Sequence, residues 1–198
     1  PGGVVIPSAS EIGGVVTNGM SLYARDEVNS NSAVLCEIYP SDFYEGVLGG
    51  VELQREIERK AFLLGGSDYS APTQKLEDFY AIRRTERFGS VRPTYERNMP
   101  SDLNGLFPPV VTESIKTGIS DMNNKLKGFS CGDAVLTGVE TRSSSPVRIL
   151  RGDDMVSPTV GNLYPCGEGC GYAGGITSAA VDGIKVAAAI AEKYSKKS

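Results

Sequence analysis

No histidine occurs among the 198 residues of the chain. That absence excludes Ser-His-Asp and Cys-His nucleophile systems and most zinc or iron centres, and with them the common hydrolase chemistries. No apolar run approaches the roughly 20 residues of a membrane-spanning helix, and no charged-then-apolar leader opens the chain, so the cytoplasm is the expected compartment. A basic footprint is missing as well. Twenty Lys and Arg against 24 Asp and Glu give a formal net charge of -4, which argues against nucleic acid as the main partner. Basic residues gather only at Arg83-Arg84 with Arg87, read as a solvated face, and in the Lys193 to Lys197 tail, read as a frayed end. Cysteine is sparse: Cys166 and Cys170 stand one residue too far apart for a redox CxxC, and Cys36 and Cys131 complete no metal site. Structural or incidental thiols are expected. Pro1 is not an initiator, so the chain reads as a piece of a longer protein.

What remains is ordinary globular material, 40% hydrophobic and 22% charged, sufficient for one domain or slightly more. Val4-Val5-Ile6 and Gly13-Gly14-Val15-Val16-Thr17 predict short strands, with a tight turn at Asn18-Gly19. Ser32 to Tyr39 predicts a buried strand ended by Pro40. Val47, Val51, Ile57, Ala61 and Leu64 recur at near-helical spacing before Gly65-Gly66, and predict an amphipathic helix. Ser70 to Gln74 reads as a loop, and the following segment with Leu76, Phe79, Tyr80 and Ile82 has no clear type. Val111, Ile115, Ile119, Met122 and Leu126, before Gly128, predict a second helix. Residues 135–142 and 147–150 alternate like strands and predict a hairpin or domain-crossing pair across Ser143-Ser144-Ser145-Pro146. The class is α+β. The two apolar helix stripes read as core, with a role in partner or substrate choice as the alternative.

The segment that carries chemistry is Asn162-Leu163-Tyr164-Pro165-Cys166-Gly167-Glu168-Gly169-Cys170-Gly171-Tyr172-Ala173-Gly174-Gly175, followed by Ile176-Thr177-Ser178-Ala179-Ala180-Val181-Asp182-Gly183. It predicts a short strand, a glycine-rich turn carrying one carboxylate, and a helix start without large side chains. Free N–H groups and the positive end of a helix suit a phosphate or an electron-rich ring. The competing reading is packing: glycine and alanine would let the helix approach a sheet closely. Glu168 favours a ligand, since a carboxylate among glycines can accept hydrogen bonds from ribityl or ribose hydroxyls.

This string closely resembles the second FAD-contacting motif of FAD-dependent dehydrogenases, also called NAD(P)/FAD-dependent oxidoreductases. The resemblance takes in Gly138-Val139-Glu140-Thr141-Arg142-Ser143-Ser144-Ser145-Pro146-Val147-Arg148-Ile149, the opening residues 1–11, and Thr17 to Asp26. It implies FAD as cofactor, NAD(P)H as a possible electron donor, a small-molecule substrate, and cofactor contacts at Gly167, Glu168, Gly169, Gly174, Gly175 and Ile176. Gly167-Glu168 stands where related flavoproteins carry Gly-Asp. The N-terminal strand, Gly-x-Gly-x-x-Gly turn and helix that hold the FAD pyrophosphate are absent, so the resemblance implies a C-terminal fragment whose partner is the missing N-terminal FAD domain. Gly169 to Gly174 fits the bare glycine pattern. However, no acidic residue follows about twenty positions on at a strand end, so it is not a primary fingerprint.

The implied layout is residues 1–26 as strands leading from the FAD domain, 27–140 as an inserted substrate-side α+β domain, and 141–198 as the return to a Rossmann-like FAD domain. Arg142, Ser145 and Arg25 are the catalytic or substrate-binding candidates, guanidinium offering a rigid fork to anions. Interdomain ion pairs are the plainer reading of the arginines, and a cap or turn that of the serine. Asp153-Asp154 reads as a polar loop. A non-catalytic α+β interaction or scaffold module, its glycines serving packing, is the alternative function.

Overall fold

A computed structural model describes residues 2–39 and 45–195. The expected Pro1 turn, the Pro40 strand stop and the Lys196-Lys197 end of the basic tail lie outside the described residues. The chain divides into two compact units, Pro1–Asp42 with Leu53–Thr141 and Phe43–Glu52 with Arg142–Ser198. It is α+β, as the pattern predicts. Among the described residues, no helix is long and apolar enough to cross a membrane.

In the first unit, β1 (Gly3–Pro7) pairs antiparallel with β2 (Thr17–Ser21), Gly3 opposite Ser21 and Pro7 opposite Thr17. Asn18 and Gly19 therefore lie inside a strand rather than at the predicted turn. Gly19 is needed for space: a Cβ there would come within 3.2 Å of the Asn31 side chain, whose Nδ2 donates to the Val4 and Met20 carbonyls. The reversal comes earlier, where the Gly14 N–H donates to Glu11 O and Gly13 takes φ +77°.

Helix α1 (Gly49–Leu64), whose residues from Leu53 on belong to the first unit, follows the predicted stripe with Ile57 and Ala61 buried, whereas Val47 precedes the helix and is exposed. It stops at Gly66, φ +98°, where the Gly66 and Ser67 N–H groups return to the Leu63 and Phe62 carbonyls. The segment expected as a loop is instead β3 (Ala71–Lys75), the middle of a three-stranded sheet. β4 (Asn98–Pro100) runs parallel on one side of it and β5 (Val135–Thr137) antiparallel on the other. Proline and three polar residues disguise this strand. The structure accommodates them because the buried Gln74 amide donates to Arg83 O at 2.7 Å and accepts from Leu103 N–H at 2.8 Å.

The undecided segment forms the short helix α2 (Leu76–Tyr80), which buries Leu76 and Phe79. Helix α3 (Pro109–Lys125) begins with Pro at its first turn and buries Val111 and Ile119. Both predicted stripes thus feed one core that also holds Val15, Leu103, Leu106 and Val139. Residues 32–39 form no strand; they alternate in exposure like one, but no neighbour completes a ladder. The pair predicted across residues 143–146, as a hairpin or a domain crossing, does not form either: residues 147–150 are no strand, and β5 pairs with β3, the Gly138 N–H continuing that pairing to Pro72 O.

In the second unit, helix α4 (Ile176–Ser195) starts where the sequence predicts. The short strand expected before the turn is absent. Its backbone is taken up in local loops instead, Leu163 N–H donating to Val160 O and Ser157 N–H to Leu163 O.

Candidate functional site

The glycine-rich turn is held by its carbonyl groups. Pro165 O accepts from Arg151 Nη1 at 2.8 Å, Gly169 O from Ser145 Oγ at 3.2 Å, and Cys170 O from the Ile149 N–H at 3.2 Å. Gly171 O accepts from Arg148 Nε and Nη2 at 3.1 and 2.8 Å. Within the turn, Glu168 O accepts from the Gly171 N–H and Gly167 O from the Tyr172 N–H. Residues 147–150, expected as one strand of a hairpin or domain-crossing pair, thus belong to a segment, 145–151, that clamps the turn from one side.

The N–H side is different. Gly167 N–H donates to Asp182 Oδ2 at 2.9 Å, while those of Glu168, Gly169 and Cys170 have no acceptor among the described residues. The first turn of α4 adds further N–H groups without an intrahelical partner, at the positive end of the helix. An open groove of about 760 Å³ runs beside that start, along Tyr172, Ile176, Ser178, Val181, Asp182 and Lys185.

The glycines separate into two kinds. A Cβ on Gly171, φ +81°, would lie 2.6 Å from Val147 O, so that glycine serves a close approach of the clamp. Gly167, Gly169 and Gly174 meet nothing within 4 Å among the described residues. Helix packing therefore does not explain them, though Gly167, at φ +75°, takes a left-handed backbone that itself favours glycine. Glu168 is exposed, and its carboxylate has no partner among the described residues.

Two buried charges that the sequence analysis overlooked set the frame. Arg151 and Asp182 form a two-armed ion pair, Nη2 to Oδ1 at 2.6 Å and Nη1 to Oδ2 at 2.9 Å, with side chains 9% and 10% exposed. The Arg151 guanidinium also lies 3.8 Å from the Tyr172 ring centroid, and its backbone N–H donates to Tyr172 Oη. The Arg151 hydrogen bond and the Gly167 N–H hold the Asp182 carboxyl well below the usual carboxylate range. Burial pushes the Cys166 thiol up, and the charge of Asp182 adds to the shift. Cys166 is thereby a poor nucleophile. The available signal was Asp182 itself, the one charged residue in the run 176–184.

Of the other candidates, Ser145 ties the clamp to the turn, donating to Val147 O at 2.8 Å as well as to Gly169 O. Arg142 is exposed at the start of the same segment. Arg25 belongs to the first unit, exposed and at φ 54°, on a loop where its N–H donates to Leu22 O. The structure thus brings Ser145 to Gly169, within the same unit as Gly167, Glu168, Gly174, Gly175 and Ile176. Among the described residues, no cluster of cysteine or carboxylate side chains could hold a metal ion.

An edge of open N–H groups backed by a helix start matches the acceptor-rich phosphates and ring carbonyls of FAD, so the donor set fits that group. The chain belongs to the FAD-dependent protein, C-terminal domain-like family, whose model matches residues 1–143. The family relates it to flavoproteins. It is also 48% identical over 196 residues, 98% of its length, to an uncharacterized protein of Clostridium beijerinckii. The chain spans 37% of that relative. The family match ends before the glycine-rich turn, which only the second similarity reaches.

Proposed function

We propose that the chain is the C-terminal part of a cytoplasmic FAD-dependent oxidoreductase, a dehydrogenase acting on a small molecule. Residues 1–26 lead out of the FAD domain, 27–140 form the substrate side, and 141–198 return to the cofactor. The observation that carries this reading is the turn at residues 165–172, whose carbonyls are engaged while three consecutive N–H groups stay open. FAD, when bound, supplies hydride exchange with the substrate, with NADH or NADPH as electron donor.

The protein's part is to bind and tune. The open N–H groups and the α4 start turn partial positive charge toward an electron-rich ring edge, which favours the charge that gathers there on reduction. Glu168 accepts hydrogen bonds from cofactor hydroxyls. Arg142, and on its own unit Arg25, offer guanidinium groups to an anionic substrate. Ser145 keeps the turn in place through Gly169 O.

Helix α4 supports the reading from its other face. Asp182 and Val186 are its buried residues, whereas Ile176, Val181 and Ile184 are 92%, 46% and 70% exposed. Full burial of such side chains contributes about 1.5–3 kcal/mol each, and the N-terminal FAD domain of the parent protein is the proposed cover. On its own, the present chain binds FAD weakly or not at all.

The test is FAD titration of the full-length parent, followed by visible absorbance. Glu168→Ala should weaken binding roughly tenfold or more, as for loss of a charge-assisted hydrogen bond. Gly169→Ala should leave thermal stability within about 0.5 kcal/mol, since its Cβ meets nothing, yet weaken FAD binding by intruding on the open edge. Failure of a folded full-length protein to take up FAD would sink the proposal in favour of a scaffold module. A yellow, stoichiometrically loaded preparation of the present chain would overturn the weak-binding expectation.

A further inference from the structure

The Arg151–Asp182 pair touches the turn at both ends. Arg151 reaches Pro165 O, Asp182 reaches Gly167 N–H, and the guanidinium packs on Tyr172, where the turn leaves. Asp182 sits on the second turn of α4, so one carboxylate fixes the glycine-rich turn relative to the helix start. Left alone, that carboxylate would oppose any anionic group brought to the same N–H edge. Arg151 cancels its charge through two parallel hydrogen bonds, a geometry that an ammonium group cannot reproduce.

We propose that Arg151 and Asp182 are positioning residues for the cofactor edge: they hold the turn with its 168–170 N–H groups outward and keep that edge free of net negative charge. This deepens the flavin reading and rests on it. Their effect passes through the backbone of residues 165–172 and through the neutralised charge.

The experiment uses the full-length parent with FAD and compares wild type, Arg151→Lys and Asp182→Asn, all below their melting temperatures. Arg151→Lys keeps the positive charge but loses the fork. Its FAD dissociation constant should rise roughly tenfold, the scale expected when a binding group is displaced by a fraction of an ångström. Asp182→Asn keeps the shape and can still accept from Gly167 N–H, but leaves Arg151 uncompensated. It should therefore retain FAD better than Arg151→Lys and move the flavin reduction potential in the positive direction. A role confined to folding would lower melting temperatures without moving the potential. If wild type binds FAD while both variants match its affinity and potential, the positioning role is overturned and the flavin reading stands. If wild type binds no FAD, both fall together. Should Arg151→Lys fail to fold, the potential of Asp182→Asn alone decides.

Discussion

The two units of this chain are held together by different physics. The first has a conventional apolar core in which Ile57, Ala61, Leu76, Phe79, Leu103, Leu106, Ile119 and Val139 are all nearly inaccessible. In the second, the buried side chains among the described residues are Val186, Pro165, Ser157 and Asp182. What orders it is directional: the Arg151–Asp182 ion pair, two arginines near the Tyr172 ring, and a row of carbonyls clamped by residues 145–151. Burial of apolar area is powerful but indifferent to angle, whereas hydrogen bonds and forked ion pairs fix the direction of a backbone. The unit that carries the open N–H edge uses the directional kind. A buried ion pair is a weak stabiliser compared with an apolar core, so the second unit trades stability for a defined geometry.

The comparison is broken most readily in the first unit. Leu76→Ala, at a side chain 1% exposed, should cost about 2–5 kcal/mol through lost transfer energy and the cavity left behind. Chemical denaturation measures it. A cost below about 1 kcal/mol would show that apolar packing does not dominate there.

In the second unit the corresponding weak point is a glycine. Gly171→Ala combines a left-handed backbone at φ +81° with a Cβ placed 2.6 Å from Val147 O, and should cost about 1–3 kcal/mol. Hydrogen exchange at the Ile149 amide, which donates to Cys170 O, reads the loosening locally. Unchanged protection there would mean that the clamp does not depend on close approach.

The smallest effect sharpens the contrast through acid. The Asp182 carboxyl is held low by the Arg151 hydrogen bond and the Gly167 N–H. In the first unit, the Ser90 hydroxyl and N–H bring Asp133 down from 3.8 to about 2. Both groups titrate lower folded than unfolded. Their contribution is therefore present above the unfolded value of 3.8 and is lost as pH falls through the folded values. Melting temperature should decline on acidification below about pH 4. Asp182→Asn should flatten that decline in the second unit, and Asp133→Asn should flatten it in the first. A wild-type curve that stays level between pH 4 and pH 2 would refute the linkage.

Helices α1 and α3 were legible because a period of 3.6 is written locally, with Gly65-Gly66 and Gly128 as stops. Strands were legible only in part, Val4-Val5-Ile6 and Val135–Thr137 forming as read, since a strand exists only through its neighbour. Ser32 to Tyr39 has the alternation without a partner. Ala71 to Lys75 lacks the apolar pattern yet has partners on both sides. Asn18-Gly19 resembles a turn by composition, but the side chain of Asn31 explains the glycine. At the site, Gly167, Glu168 and the start of α4 could be read from a contiguous string. Arg151 and Asp182 could not, because 31 residues separate them and one stands in a loop of ordinary polar appearance.

The sequence by itself determined the α+β class, the two core helices, the helix start at Ile176 and a glycine-rich turn before it. These are matters of local period, stop signals and residue type. Only the tertiary structure decided which backbone groups of that turn are tied and which stay open, because hydrogen bonds from Ser145, Arg148, Arg151 and Asp182 are contacts at a distance along the chain. The same contacts separate Gly171, needed for packing, from Gly167, Gly169 and Gly174, which face open space.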